Sequence, residues 1–167
     1  SMNNLAESLK AQGDLTGARS LYEKALELLR RVLGEEHPLT LNSMGNLAET
    51  LLAQGDLTGA RSLGEKVLDS RRRVLGEEHP ETLASINNLA QTLQARGDFA
   101  GARGLHENAL AIFRRVLGEE HTSTLTSMNN LANSLHAQGD LAGARGLHEN
   151  ALEILRRVLG EEHPSTL

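Results

Sequence analysis

The residues of this 167-residue chain that could do chemistry are seven histidines and seventeen lysines and arginines, and their spacing decides what chemistry is open to them. His37, His79, His121 and His163 each close a Leu-Gly-Glu-Glu-His run and stand 42 residues apart. One imidazole per repeat puts neighbours on the order of 10 Å apart when helices stack side by side, whereas a shared metal needs donors at about 2 Å. Each is read as ending its loop with a local hydrogen bond. His106 and His148 are separated by the same 42-residue step and receive the same structural reading, and His136 stands alone. There is no Ser/His/Asp set, phosphate-cradling glycine run or HExxH, since His106-Glu107-Asn108 lacks a second histidine. Catalysis needs one asymmetric constellation and the candidates here recur. The expectation is therefore no enzyme, no catalytic residue, no metal and no cofactor.

The arginines form a ladder of Arg30-Arg31, Arg71-Arg72-Arg73, Arg114-Arg115 and Arg156-Arg157, each followed by a Glu-Glu pair such as Glu35-Glu36. Arginine at a helix C-terminus meets the negative end of the dipole, and the following glutamates lie close enough to pair with it. With seventeen basic against twenty-two acidic residues and a net charge of −5, the chain has no global attraction to nucleic acid or an anionic membrane. An aromatic content of 2% argues against base-stacking platforms and aromatic cages. The absence of cysteine excludes disulfides and thiolate metal sites. No apolar run approaches the roughly 18 residues of a membrane helix, and no charged-then-apolar leader is read at the start, so a cytoplasmic location is expected.

The elements that must position these residues are repeats. Gly-Asp recurs at Gly13-Asp14, Gly55-Asp56, Gly97-Asp98 and Gly139-Asp140, and residues 85–125 match 127–167 at 32 of 41 positions. Four units are read, 1–42, 43–84, 85–126 and 127–167, making residues 1–167 a single repeat domain. Within a unit, Leu83, Ile86, Leu89, Ala90 and Leu93 share one face of a helix A of about 14 residues. Pro80 suits its first turn, and Gly97 ends it by tolerating a positive φ. Asp98 then caps a helix B of about 19 residues, Phe99 to Leu117, which Gly118 stops. One such pair cannot bury both its faces, and stacked pairs can. The predicted fold is all-α, a right-handed α-solenoid of antiparallel helix pairs.

Leu47, Ala48, Leu51, Gly55 and Ala60, with Ala25, Val67, Ala109 and Ala151 along the B helices, resemble the tetratricopeptide repeat. That repeat is usually about 34 residues. The longer unit, with Arg-Arg-Val-Leu-Gly-Glu-Glu-His-Pro followed by Asn-Asn-Leu-Ala, is similar to the repeats of kinesin light chains and their bacterial relatives. The near-identical copies and scarce aromatics look more like the bacterial arrays or a consensus-designed scaffold. The resemblance implies a protein- or peptide-binding module. Two departures stand out: Asp14-Leu15 and its equivalents replace the lysine and aromatic common after the turn glycine, and Gly64–Val67 replaces the larger residues at Tyr22 and His106. The second departure predicts a looser second B helix, since glycine costs about 1 kcal/mol relative to alanine.

The A-helix residues left over after packing define a candidate groove for an extended peptide or a helix: Asn4, Glu7, Asn42, Asn46, Glu49, Asn87, Asn88, Gln91, Asn129, Asn130 and Asn133. An asparagine ladder can hold a peptide backbone because each amide offers a donor and an acceptor. Asn4, Asn46, Asn88 and Asn130 could equally tie adjacent A helices together. Glu7 and Glu49, with only Lys10 and Arg96 near the edge, predict a wall that repels strongly acidic peptides. A rival reading is a structural segment with no dedicated groove ligand that self-associates head to tail. Ser1-Met2-Asn3-Asn4 aligns with Ser43-Met44-Gly45-Asn46, and Pro164-Ser165-Thr166-Leu167 would complete its missing turn.

Overall fold

A computed structural model describes residues 1–160. Among them lie eight helices and no strand: α1 (Met2–Ala11), α2 (Leu15–Leu33), α3 (Pro38–Ala53), α4 (Leu57–Leu75), α5 (Pro80–Ala95), α6 (Phe99–Leu117), α7 (Thr122–Ala137) and α8 (Leu141–Leu159). Odd-numbered helices are the A helices and even-numbered ones the B helices. The chain forms two compact units, Ser1–Arg96 with α1 to α5 and Gly97 onward with α6 to α8. The full-length A helices have 16 residues rather than the 14 expected, because they start at the residue after the loop histidine.

Each Gly-Asp pair closes one helix and opens the next. In the first turn, Gly13 adopts φ 85°, its N–H donates to the Lys10 carbonyl at 3.0 Å, and the Asp14 N–H donates to the Leu9 carbonyl at 2.9 Å. These two bonds satisfy carbonyls that the end of α1 leaves without partners. The Asp14 carboxylate then accepts the Gly17 N–H at 2.8 Å and caps α2. The pattern repeats at Asp56 with Gly59 (3.0 Å), and at Asp98 with Gly101 and Asp140 with Gly143 (2.9 Å each). The glycine three residues on lets the carboxylate sit close, since a Cβ at Gly17 would stand 2.4 Å from it as placed.

The loop histidines are helix caps. His37 Nδ1 accepts the Leu39 N–H at 3.2 Å, His79 that of Glu81 at 3.2 Å and His121 that of Ser123 at 3.1 Å, each opening an A helix. This is the local bond read from the sequence, with its partner now identified. His163 and the Pro164–Leu167 turn lie outside the described residues.

In the first unit, Ala18, Tyr22, Leu26, Leu41, Met44, Leu47, Leu51 and Val67 form one buried cluster. In the second, Leu110, Leu125, Met128, Leu131, Leu135, Ala151 and Ile154 do the same. All five apolar positions predicted for the third A helix, Leu83, Ile86, Leu89, Ala90 and Leu93, are buried. Ala18, Ala60 and Ala102 are fully buried, as expected where small side chains let helices approach closely. Buried hydroxyls bond back to their own helix: Thr50 Oγ1 donates to the Asn46 carbonyl (2.8 Å) and Thr92 Oγ1 to that of Asn88 (3.1 Å).

α4, the second B helix, runs unbroken over 19 residues like the others. At Gly64 the Leu89 Cδ1 of α5 lies 3.2 Å from where a Cβ would stand. Leu89 thus takes part of the space a side chain would have filled.

Candidate functional site

Of the predicted groove residues, Asn4, Glu7, Gln91, Asn129 and Asn133 are exposed, and Asn42, Asn46, Glu49, Asn87, Asn88 and Asn130 are half-buried. They lie on the A helices, and several of them turn toward the core. In the first unit several are joined. Lys10 Nζ on α1 donates to Glu49 Oε2 on α3 at 2.8 Å, and Asn88 Nδ2 on α5 donates to Glu49 Oε1, also at 2.8 Å. One carboxylate therefore bridges three successive A helices. This supports the tying role for Asn88, through the Glu49 side chain.

Three other groove residues serve the core. Glu7 accepts a hydrogen bond from the fully buried Tyr22 hydroxyl, which Asn46 also contacts. Burial first, then the adjacent Glu7 carboxylate, pushes the phenol well above its usual pKa, so it stays protonated and donates. Asn42 Oδ1 accepts from Arg71. In the second unit Asn129 Oδ1 lies 3.2 Å from His148 Nδ1. The side chains of Gln91, Asn130 and Asn133 make no hydrogen bond among the described residues, and Asn87 Oδ1 is buried without a partner.

Arg71 is the residue that sequence reasoning misplaced. The sequence places it in the basic ladder at the B-helix ends. Arg30 pairs with Glu35 at 3.0 Å, Arg72 with Glu77 at 3.7 Å, Arg114 with Glu119 at 3.4 Å, and Arg73 with Glu36. Arg71 instead is only 8% exposed. It donates to the Glu81 carbonyl (3.1 Å) and Ser85 Oγ (2.7 Å), and its Nη2 lies 3.4 Å from Glu81 Oε2. Its Nε is buried with no partner. Burial lowers its pKa and the Glu81 charge opposes that shift. The signal was present in the repeat register: 42 residues either side of Arg71 stand Leu29 and Phe113, and then Leu155, all apolar.

Beside Arg71 a small cleft of about 30 Å³ opens between α3, α4 and α5, lined among others by Gly45, Glu49, Gly64, Asn88, Gln91 and Thr92. The corresponding histidine of the third repeat, His106, is buried against Ser134 Oγ at 2.7 Å, and burial lowers its pKa. No three His, Asp or Glu side chains among the described residues are placed to hold a metal ion. No helix among them is long and apolar enough to cross a membrane.

The model of the tetratricopeptide repeat family matches this chain four times, over residues 1–73, 45–107, 81–146 and 127–167. Among solved structures, the nearly identical TPR-like repeats of a protein from Podosopora anserina, described as a kinesin light chain, are 34% identical. They superpose with a TM-score of 0.90, covering 99% of this chain and 78% of that one. BtubC (BKLC) from P. vanneervenii is 24% identical with a TM-score of 0.85, covering 98% of this chain and 65% of its own length, and shares the fold. RapI in its apo form shares the fold at 14% identity and a TM-score of 0.76, covering 93% of this chain and 55% of its own. No curated protein matches the sequence.

Proposed function

The chain belongs to the tetratricopeptide repeat family, and from that premise we propose a non-enzymatic protein-interaction module that binds an extended peptide along its A helices. The observation that carries this reading is the unspent amides on the A helices of each unit. In the first unit Gln91 is exposed with no partner among the described residues, beside Asn87, whose buried Oδ1 lacks one, and in the second unit Asn130 and Asn133 on α7 are partly or wholly exposed without one. Within each unit such side chains offer paired donors and acceptors, which suits an extended backbone. Lys10 is neutralised by Glu49, so the first unit's wall has no free lysine to steer an acidic ligand.

The test is to pan a random-peptide phage library against the intact chain and measure the selected peptides on Gln91→Ala and on an Asn130/Asn133 double alanine variant. At least a ten-fold loss of affinity with helicity retained is expected. Unchanged affinity would remove the A-helix amides from the site.

A further inference from the structure

The cleft over Gly64 occupies the place where the other repeats hold a ring. Stepping by 42, Gly64 corresponds to Tyr22, His106 and His148. The three polar residues around the Tyr22 hydroxyl are Glu7, Asn46 and Glu49. Their counterparts one repeat on are Glu49, Asn88 and Gln91, and all three line the cleft. In the fourth repeat the ring His148 touches Asn129 at 3.2 Å. The residues corresponding to that touching pair are Gly45 and Gly64, so both partners are truncated in the second repeat. The second repeat therefore keeps the polar fittings of a tyrosine site without the tyrosine.

We infer that this cleft is a seat for the phenol ring of a tyrosine in a bound extended segment, with Glu49 accepting its hydroxyl as Glu7 accepts that of Tyr22. The inference deepens the peptide-binding reading and rests on it. Glu49 is half-buried and already receives Lys10 and Asn88, which hold its carboxylate facing the cleft. Arg71, nine-tenths buried, lines the same space and gives a ring a cation to lie against.

As the side chains stand, the free volume of about 30 Å³ admits only about two waters. Leu89 takes the rest, with its Cδ1 3.2 Å from the missing Cβ of Gly64. A leucine in that position is compatible with a ring. Leu47, the counterpart of Leu89, is 5% exposed and sits in one buried cluster with Tyr22. Rotation of the Leu89 side chain away from Gly64 is the movement that opens the seat.

The probes are p-cresol and toluene, titrated into the intact chain by calorimetry and by ligand-observed NMR. p-Cresol is expected to bind at least five-fold more tightly than toluene, with that preference lost in Glu49→Gln. Gly64→Tyr, which supplies the ring covalently, should weaken p-cresol at least ten-fold with helicity unchanged. Gly64→His, the residue of the third repeat, provides a second block should tyrosine prevent folding. Failure of p-cresol to bind, binding no tighter than toluene, or binding undiminished in a folded Gly64 variant overturns the seat. A matched arm uses the peptide Gly-Ser-Ala-Tyr-Ala-Ser-Gly and its alanine analogue. If p-cresol binds and neither peptide does, the seat stands and the groove reading falls. If panned peptides bind without regard to tyrosine and p-cresol does not bind, the groove stands and the seat falls.

Discussion

Replacing Arg71 with leucine should stabilise the first unit. Taking a guanidinium out of water costs several kcal/mol even after relaxation. Against that, Arg71 donates to the Glu81 carbonyl, Ser85 Oγ and Asn42 Oδ1, which offsets part of that cost. Its one counter-charge, the 42%-exposed Glu81 carboxylate at 3.4 Å, is screened by solvent. Nε–H stays unbonded, which leaves part of the desolvation cost uncompensated. Leucine removes all of that cost and gains about 1.5–3 kcal/mol from burial. Little is orphaned by the change, because Ser85 Oγ keeps its bond to the Glu81 carbonyl at 2.9 Å and half-buried Asn42 can turn to water. The net expectation is about 1–3 kcal/mol of added stability, within the range seen when buried ionic groups give way to apolar ones. Urea unfolding followed by far-ultraviolet circular dichroism should show a midpoint raised by roughly 1 M at an unchanged slope. Arg71→Ala, which leaves a void joined to the existing cleft, should instead lose about 2 kcal/mol or more. If the leucine variant is destabilised by about 1 kcal/mol or more, the guanidinium bonds outweigh their desolvation and the reasoning is refuted.

Gly104→Ala should add about 1 kcal/mol, because Gly104 lies within α6 and a Cβ there meets nothing within 4 Å; Gly139→Ala should lose about 1–2 kcal/mol, since Gly139 holds φ 86°. Both are read from urea midpoints. Asp140→Ala should cost about 1 kcal/mol by leaving the Gly143 N–H without its cap, and Asp140→Asn should restore most of it. His106 has its pKa lowered by burial, so its contribution is complete above the unfolded value near 6.5 and is lost as pH falls below it, because the unfolded chain takes up the proton first. The pH dependence of melting below about 6.5 should therefore flatten in His106→Gln, and an unchanged slope would assign it to other groups.

The fold was legible because every local signal agreed with every other, four times over. Glycine at a positive φ, aspartate as a cap and an apolar face at helical spacing each specify one boundary or one buried stripe. The 42-residue step then confirms them against each other. The tyrosine–glutamate bond, the Lys10–Glu49–Asn88 bridge and the histidine caps were not legible in that way. Each depends on which side chains the packing brings together across helices 15 to 39 residues apart, or on which ring nitrogen faces a backbone N–H.

A consensus position in a repeat says what the fold needs, so the places where one copy departs from the other three carry the information specific to this chain. Here three departures, Gly45, Gly64 and Arg71, fall in one repeat and line one cleft. Each alone has an ordinary structural explanation: glycine is tolerated in a helix at about 1 kcal/mol, and a buried arginine can be satisfied by neighbouring oxygens. Together they remove two side chains that touch in the fourth repeat and replace an apolar residue with a cation beside the space left. A repeat selected only for stability would keep the ring and the leucine, as the first repeat does with Tyr22 and Leu29. Carrying all three changes at one point is what a binding site would require, and the two outcomes separate on measurement. If Gly64→Tyr and Arg71→Leu together stabilise the chain while abolishing p-cresol binding, stability has been given up there for recognition; if they stabilise it and p-cresol never bound, the second repeat has only drifted.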